Sequence, residues 1–135
     1  MIRNIRNEHD EQAAIIDWAR RLEPQYPELG LLFAIPNGAK LPYIKDRRGR
    51  RYSPQAQKLK AEGLRAGVPD LCLPVARLGF HGMFIELKVG RNKPSAEQVK
   101  FLDTLADQGY YAAVCWGAEE AIREIRAYLE IGITH

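Results

Sequence analysis

Residues 67–88, GVPDLCLPVARLGFHGMFIELK, place charged residues inside two apolar runs that otherwise predict a β-hairpin built for burial. Asp70 opens the first run, and Glu86 and Lys88 flank Leu87 in the second. Alternate residues of a strand project from the same face, so Glu86 and Lys88 would share one face while Leu87 enters the core. Charges in such a place need partners, and this requirement constrains both the fold and the function.

Length and composition indicate one domain over residues 1–135, with a core that needs no disulfide support. No apolar run approaches the ~20 residues of a membrane span, and the N-terminus does not have the apolar centre of a signal peptide. We therefore expect a cytoplasmic protein. Cys72 and Cys115 lie in apolar runs without zinc-finger spacing, and His9, His81 and His135 are scattered without metal-ligand spacing.

Hydrophobic periodicity and capping residues predict the order α-β-α-β-β-α-β-α. Alternating elements of this kind favour an α/β fold, here a sandwich around a central mixed sheet. Pro74 indicates that the first central strand is irregular or lies near an edge. The predicted helices cover residues 7–22, 53–64, 93–110 and 118–132, and the predicted strands cover 31–35, 69–76, 82–89 and 111–117.

A metal site follows if residues 70–75 pair antiparallel with 83–89, because Asp70 then lies beside Glu86 and Lys88. Two close carboxylates repel each other unless a cation sits between them. Oxygen ligands, with the Leu87 carbonyl as a further candidate, suit Mg²⁺ or Mn²⁺. Such a cation lowers the pKa of a bound water and polarises a phosphoryl oxygen. Lys88 would orient that water or stabilise transition-state charge, so the pattern predicts phosphodiester hydrolysis.

An ordered set of segments resembles the VRR-NUC domain of the PD-(D/E)XK nuclease superfamily, a family that includes small stand-alone phage and bacterial proteins. The segments are EHDEQ, IPNG, LKAEGLRAGVPDL, HGMFIELK and SAEQ. The resemblance implies a restriction-endonuclease-like α/β/α sandwich. It also implies that Asp70 and Glu86 hold the metal and that Lys88 is the catalytic lysine.

The resemblance further implies an acidic metal ligand from the first helix. Glu8, four residues before Gln12, matches the family pattern, whereas Glu11 lies on the inward side of the helix and stays open as the alternative. Gln98 matches the family's glutamine after the Glu-x-Lys strand and would hydrogen-bond near the metal or the substrate. The competing interpretations are helix-dipole complementation for the acid and an exposed helix amide for Gln98.

Residues 40–65 hold nine Lys or Arg and two acids, within a chain of net charge +3. Such a segment is either a solvated loop or a contact for a polyanion. Tyr43 and Tyr52 are possible stacking residues, although packing is the commoner role. No helix resembles a base-reading element, so we expect recognition of DNA shape and backbone. The predicted contacts are Asn37, Lys40, Arg47, Arg48, Arg50, Arg51, Lys58, Lys60 and Arg65.

The leading hypothesis is a metal-dependent endodeoxyribonuclease. Stand-alone family members resemble Holliday-junction resolvases, so the resemblance implies branched DNA and a homodimer, with apolar residues of the last helix at the interface. The alternative is a non-catalytic DNA-binding module, which would gain nothing from two carboxylates beside a phosphate. A restriction-type enzyme with sequence specificity is disfavoured, because 135 residues leave no room for a separate recognition element.

Overall fold

A computed structural model describes residues 7–36 and 43–132 of the chain. No helix in these two ranges is long and apolar enough to cross a membrane. The elements are α1 (Glu8–Leu22), a short 3₁₀ helix (Pro27–Leu31), β1 (Phe33–Ala34), β2 (Ile44–Lys45), β3 (Arg51–Tyr52), α2 (Pro54–Ala61), β4 (Leu71–Leu73), β5 (Met83–Lys88), α3 (Ala96–Asp107), β6 (Tyr111–Trp116) and α4 (Ala118–Leu129).

The central sheet has the strand order β1-β4-β5-β6. β4 pairs antiparallel with both β1 and β5, whereas β6 pairs parallel with β5. A parallel pair needs a crossover connection, and α3 supplies it here. The predicted α/β architecture with a mixed central sheet is therefore confirmed.

The two faces of β5 have different surroundings. Ile85 and Leu87 are buried in a single apolar cluster with Ile15 of α1 and Ile125 of α4. Strand alternation sends Glu86 and Lys88 to the opposite face. On that side α3 packs against β6. The charged residues of β5 therefore lie outside the main apolar core although they belong to a central strand.

Three N-caps agree with the sequence prediction. The side chains of Asn7, Ser53 and Ser95 accept backbone N–H bonds from the first turns of α1, α2 and α3. These bonds satisfy donors that would otherwise be unpaired at a helix start. The start of α4 is different, because its N-cap is Gly117, which has no side chain.

The strand predictions around β4 and β1 were too long. β4 ends at Leu73, just before Pro74, and it lies between β1 and β5 rather than at an edge. Proline lacks the N–H that would continue the ladder, so the strand stops there. The predicted strand over residues 31–35 contracts to Phe33–Ala34, because the preceding 3₁₀ helix takes Leu31.

Two further differences concern helices. α4 ends at Leu129, three residues before the predicted end at Gly132, because Glu130 adopts a left-handed conformation with φ +59°. Val99 was placed in the apolar stripe of α3, but its side chain is 44% exposed. Leu102 of the same stripe is buried as predicted.

Part of the basic segment is a β-hairpin rather than an irregular loop. Ile44 pairs with Tyr52 and Lys45 with Arg51. At the turn, Asp46 Oδ1 accepts backbone N–H bonds from Arg48 and Arg50, both at 2.8 Å. An aspartate that holds its own turn in this way is a common local motif. The segment therefore presents its arginines from an ordered two-stranded ribbon.

Gly67 fixes the distance between the loop before Asp70 and the start of α3. Its φ is +85°, and a Cβ at this position would lie 2.7 Å from the Glu97 carbonyl oxygen and 3.2 Å from the Gln98 nitrogen. Both the backbone angle and the lack of space exclude a side chain. The glycine therefore lets the loop lie directly against the first turn of α3.

We predict that Gly67→Ala destabilises the protein by at least about 2 kcal/mol more than Gly49→Ala does. Gly49 is a matched control, because its φ is +77° but nothing lies within 4 Å of an added Cβ. Urea unfolding of both variants measures the difference. If both variants lost the same free energy of unfolding, the loop and α3 could move apart at little cost in stability, which would contradict the prediction.

Candidate active site

Asp70 and Glu86 lie opposite each other across two hydrogen-bonded strands. Leu71 pairs with Ile85, and the same register continued by one residue sets Asp70 against Glu86. The Leu87 backbone N–H donates to Asp70 Oδ2 at 2.7 Å. The Asp70 backbone also donates to the Ile85 carbonyl at 3.0 Å and accepts from the Ile35 N–H at 2.8 Å. Asp70 is thus held by β5 on one side and by the end of β1 on the other.

The Glu86 carboxyl is buried with an incomplete set of partners. Its side chain is 2% exposed, and Oε1 lies 3.5 Å from Lys88 Nζ. Among the described residues, its second oxygen, Oε2, has no hydrogen-bond partner. Burial, and then the nearby Asp70 carboxylate, raise the pKa of Glu86 to about 7, against the smaller opposing effect of Lys88. An ionised Glu86 therefore needs a positive partner that the protein alone supplies only in part.

These features fit a divalent cation such as Mg²⁺ or Mn²⁺. No group of three or more His, Cys, Asp and Glu side chains within residues 7–36 and 43–132 is placed to hold a metal ion. Mg²⁺ is commonly bound by one or two carboxylates and otherwise by waters and substrate phosphates, so a pair is sufficient. The unpartnered Glu86 oxygen is a hard ligand of the kind that such a cation takes.

The two candidate acids of α1 have different environments. Glu11 Oε2 accepts the Ala118 backbone N–H at 3.0 Å, so this side chain supplies the cap that Gly117 lacks. Glu8 lies one turn earlier, in the first turn of α1, and is half-buried. Glu11 therefore has a structural role, whereas Glu8 as the first-helix ligand stays a prediction, because no described acid is placed as a third ligand beside Asp70 and Glu86.

Gln98 and Gln12, the two glutamines of the family pattern, differ in their hydrogen bonding. Gln98 Oε1 accepts the Ser95 N–H at 2.8 Å, and the Gln98 N–H donates to Ser95 Oγ at 3.2 Å, which forms a capping box at the start of α3. The predicted contact of Gln98 with metal or substrate would have to use its amide nitrogen. Gln12 Oε1 is buried without a partner among the described residues.

The basic residues named from the sequence lie on exposed surfaces wherever the structure describes them. Arg51 stacks over the Tyr43 ring at 5.5 Å, which gives that tyrosine a role within the hairpin. Asn37 and Lys40 lie outside the described residues. The exposed set comprises Arg47, Arg48, Arg50 and Arg51 of the hairpin, Lys58 and Lys60 of α2, and Arg65.

The neighbour of Lys88 on β6 was not predicted from the sequence. Parallel pairing sets Trp116 directly beside Lys88. The sequence predicted only an apolar strand over residues 111–117, and an aromatic residue at its end was the available signal. Periodicity does not reveal which strands become neighbours through a crossover. The capping role of Glu11 was missed for the same reason, because Ala118 is far away in the sequence.

We predict that Glu11→Ala lowers the free energy of unfolding by about 1 kcal/mol, the usual cost of losing an N-cap. Glu8→Ala should leave it nearly unchanged, because Glu8 is not the residue that caps α4. Urea unfolding measures both. Mn²⁺-dependent thermal stabilisation, measured alongside, should weaken in Glu8→Ala and persist in Glu11→Ala. The reverse pattern would make Glu11 the first-helix ligand.

A second prediction concerns pH. Because the pKa of Glu86 is raised from 4.5 to about 7, the folded state binds more protons than the unfolded state between these values. The contribution of Glu86 to stability in EDTA should therefore fall as pH rises from about 4.5 to about 7 and then level off. Glu86→Gln has no such fall, so its stability relative to wild type should rise by about 3 kcal/mol over this range.

Chemical unfolding at pH 4.5 to 8 measures this difference. The exposed, uncharged Gln55 provides the control, since Gln55→Ala removes no titratable group and should differ from wild type by a constant amount. A constant difference for Glu86→Gln as well would contradict the proposed raised pKa.

Comparisons with known proteins place these residues within a family. The family model of the VRR-NUC domain matches residues 2–119. A solved structure described as a VRR_NUC domain protein is similar to this chain with a TM-score of 0.71 and 26% sequence identity, over 96% of this chain and 93% of that one. No curated protein matches the chain. Because the family match spans most of the chain, including Asp70, Glu86 and Lys88, the chain belongs to the VRR-NUC domain family, whose members are nuclease-like domains that act on DNA.

Proposed function

We propose that this protein is a Mg²⁺- or Mn²⁺-dependent, structure-selective endodeoxyribonuclease that hydrolyses phosphodiester bonds, with branched DNA as its substrate. The observation that carries the proposal is the buried Asp70–Glu86 pair, in which one Glu86 oxygen has no partner among the described residues and Lys88 lies alongside. A protein that only binds DNA has no use for buried carboxylates next to the phosphate, because like charges repel.

In this proposal Asp70, Glu86 and the Leu87 carbonyl hold the cation. Glu8 of α1 would add a ligand only when it moves toward them, because no third acid among the described residues is placed beside the pair. The cation, when bound, would polarise the scissile phosphate and favour deprotonation of the attacking water. Lys88 orients that water and stabilises negative charge in the transition state through its ammonium group. One P–O bond forms with the water oxygen and one P–O ester bond breaks, which leaves a phosphate end and a hydroxyl end. Gln98 retains an amide nitrogen that can donate to a phosphate oxygen.

The basic hairpin supports DNA contact through the backbone. Its four arginines are exposed, and Asp46 keeps the turn ordered. Arg and Lys contacts to phosphate position a protein on DNA without reading its sequence. Recognition by shape is consistent with the exposed positions of Lys58, Lys60 and Arg65 as well.

A homodimer remains part of the proposal, and we propose its interface at the β1 edge rather than on α4. Ala121, Ile125 and Tyr128 of α4 are buried in the chain's own core. The β1 edge offers a better surface, because Leu31 is 52% and Phe33 50% exposed there. Two active sites in a dimer could cut two strands of one branched DNA.

The first test is cleavage of labelled four-way junction, splayed-arm, flap and linear duplex DNA with Mg²⁺ or Mn²⁺ and with EDTA. We predict metal-dependent cutting of the branched substrates, lost by at least about 100-fold in Asp70→Asn and Lys88→Ala, because each removes a group that acts on the reacting phosphate. Lys100→Ala, which removes an exposed lysine of α3, should cut normally. Binding without cutting under every metal condition would favour the non-catalytic module.

A further prediction concerns the hairpin. The Arg47→Gln/Arg48→Gln double variant should bind DNA more weakly, and the slope of log Kobs against log salt should fall in magnitude by up to about 2, roughly 0.9 per lost phosphate contact. An Arg20→Gln/Arg123→Gln double variant removes the same charge from exposed positions on α1 and α4 and is the matched control. Fluorescence anisotropy over a salt series gives the slopes. Equal slopes for the two variants would remove the hairpin from the DNA interface.

A further inference from the structure

Trp116 is the last residue of β6 and the direct neighbour of Lys88 on β5. Paired residues of adjacent strands project from the same face of a sheet and lie about 4.8 Å apart. Trp116 therefore shares the face that carries Glu86 and Lys88. The Gly117 N–H donates to the Lys88 carbonyl at 2.9 Å, which holds the ends of the two strands together.

The Trp116 ring is both exposed and fixed in orientation. It is 41% exposed, which is unusual for a tryptophan at the end of a central-sheet strand. Its Nε1–H donates to the Asn92 carbonyl at 2.8 Å. Because the indole N–H already has a hydrogen-bond acceptor, only the apolar surface of the ring is available to a ligand.

The bond to Asn92 also places the ring against a connection that carries two basic residues. Asn92 belongs to the connection between β5 and α3, and Arg91 and Lys93 flank it on exposed positions. Proteins bind single-stranded nucleic acid by stacking bases on aromatic rings and holding the phosphates with cations, and a ring beside a segment with exposed basic residues fits this pattern. A residue that only covered this connection would not need an aromatic ring with an exposed surface.

We propose that Trp116 is a nucleotide-stacking residue of the active site, which takes an unpaired base next to the phosphate that Lys88 acts on, while Arg91 and Lys93 contact the flanking phosphates. This inference rests on the proposed function and deepens it. Fully paired duplex has no unstacked base to give to the ring. Stacking on Trp116 therefore selects DNA with unpaired nucleotides near the cut, such as a splayed arm or a flap, without reading sequence.

The direct test follows the fluorescence of Trp116 in a Trp18→Phe background, where no other tryptophan remains. EDTA prevents metal-dependent cleavage during the titration. At equal occupancy, splayed-arm DNA should quench the emission strongly and fully paired duplex should not. This measurement leaves Trp116 itself unchanged, so it does not depend on the folding of a variant at that position.

Two substitutions separate stacking from structural cover. Trp116→Leu keeps an apolar side chain but loses the ring, and should raise the Kd for splayed-arm DNA about 10-fold. Trp116→Phe keeps a ring without the N–H, and should change that Kd by less than about 3-fold. The Kd for paired duplex should be unaffected by either. Thermal unfolding by circular dichroism confirms that both variants are folded.

The outcomes for this inference and for the nuclease assignment are distinguishable. Wild-type cleavage together with unchanged binding by Trp116→Leu and no quenching would overturn the stacking role while the nuclease stands. Quenching by splayed-arm DNA together with no cleavage by the wild type under any metal condition would support the stacking role and overturn the nuclease. Equal quenching by splayed-arm and paired DNA would overturn the selection of unpaired nucleotides.

Discussion

The pairing of β4 with β5 is the constraint on which the rest of the structure depends, because it forces two carboxyl groups together at the end of an apolar sheet. Asp70 obtains compensation from the Leu87 backbone N–H. Glu86 obtains only part of what it needs from Lys88 and leaves one oxygen without a partner among the described residues. Sites with this kind of local conflict are commonly functional, since a structure selected only for stability would replace one of the acids.

The elements around this pair hold it in place from several directions. Gly67 lets the loop before Asp70 lie against the first turn of α3. Glu11 of α1 caps α4 through the Ala118 N–H. Glu11 thus ties α1 to α4, and Gly67 brings α3 against the loop that leads to Asp70. This framework holds the acidic pair, and within it Gln12 Oε1 is a further buried oxygen without a partner among the described residues.

Much of this arrangement was predictable from the sequence, because the information is local. The Asp70 and Glu86–Lys88 spacing, the N-caps Asn7, Ser53 and Ser95, and the alternation of helices and strands all follow from short-range rules. What was missed depends on long-range contacts. The neighbour of Lys88 on β6 is set by a crossover, and the Glu11 cap joins two helices at opposite ends of the chain. The hairpin at residues 44–52 was missed because its strands are only two residues long. Strands this short do not show the alternation of apolar and polar residues by which a strand is recognised in a sequence.

The central proposal is that the Asp70–Glu86 pair binds a divalent cation. The most direct measurement is calorimetric titration of Mn²⁺ into metal-free protein at pH 7, in two buffers of different ionisation enthalpy. Since the pKa of Glu86 is raised to about 7, a bound cation should displace its proton, and the observed heat should depend on the buffer. Asp70→Asn should greatly weaken this binding. No binding by the wild type, or binding whose heat is the same in both buffers, would contradict the claim.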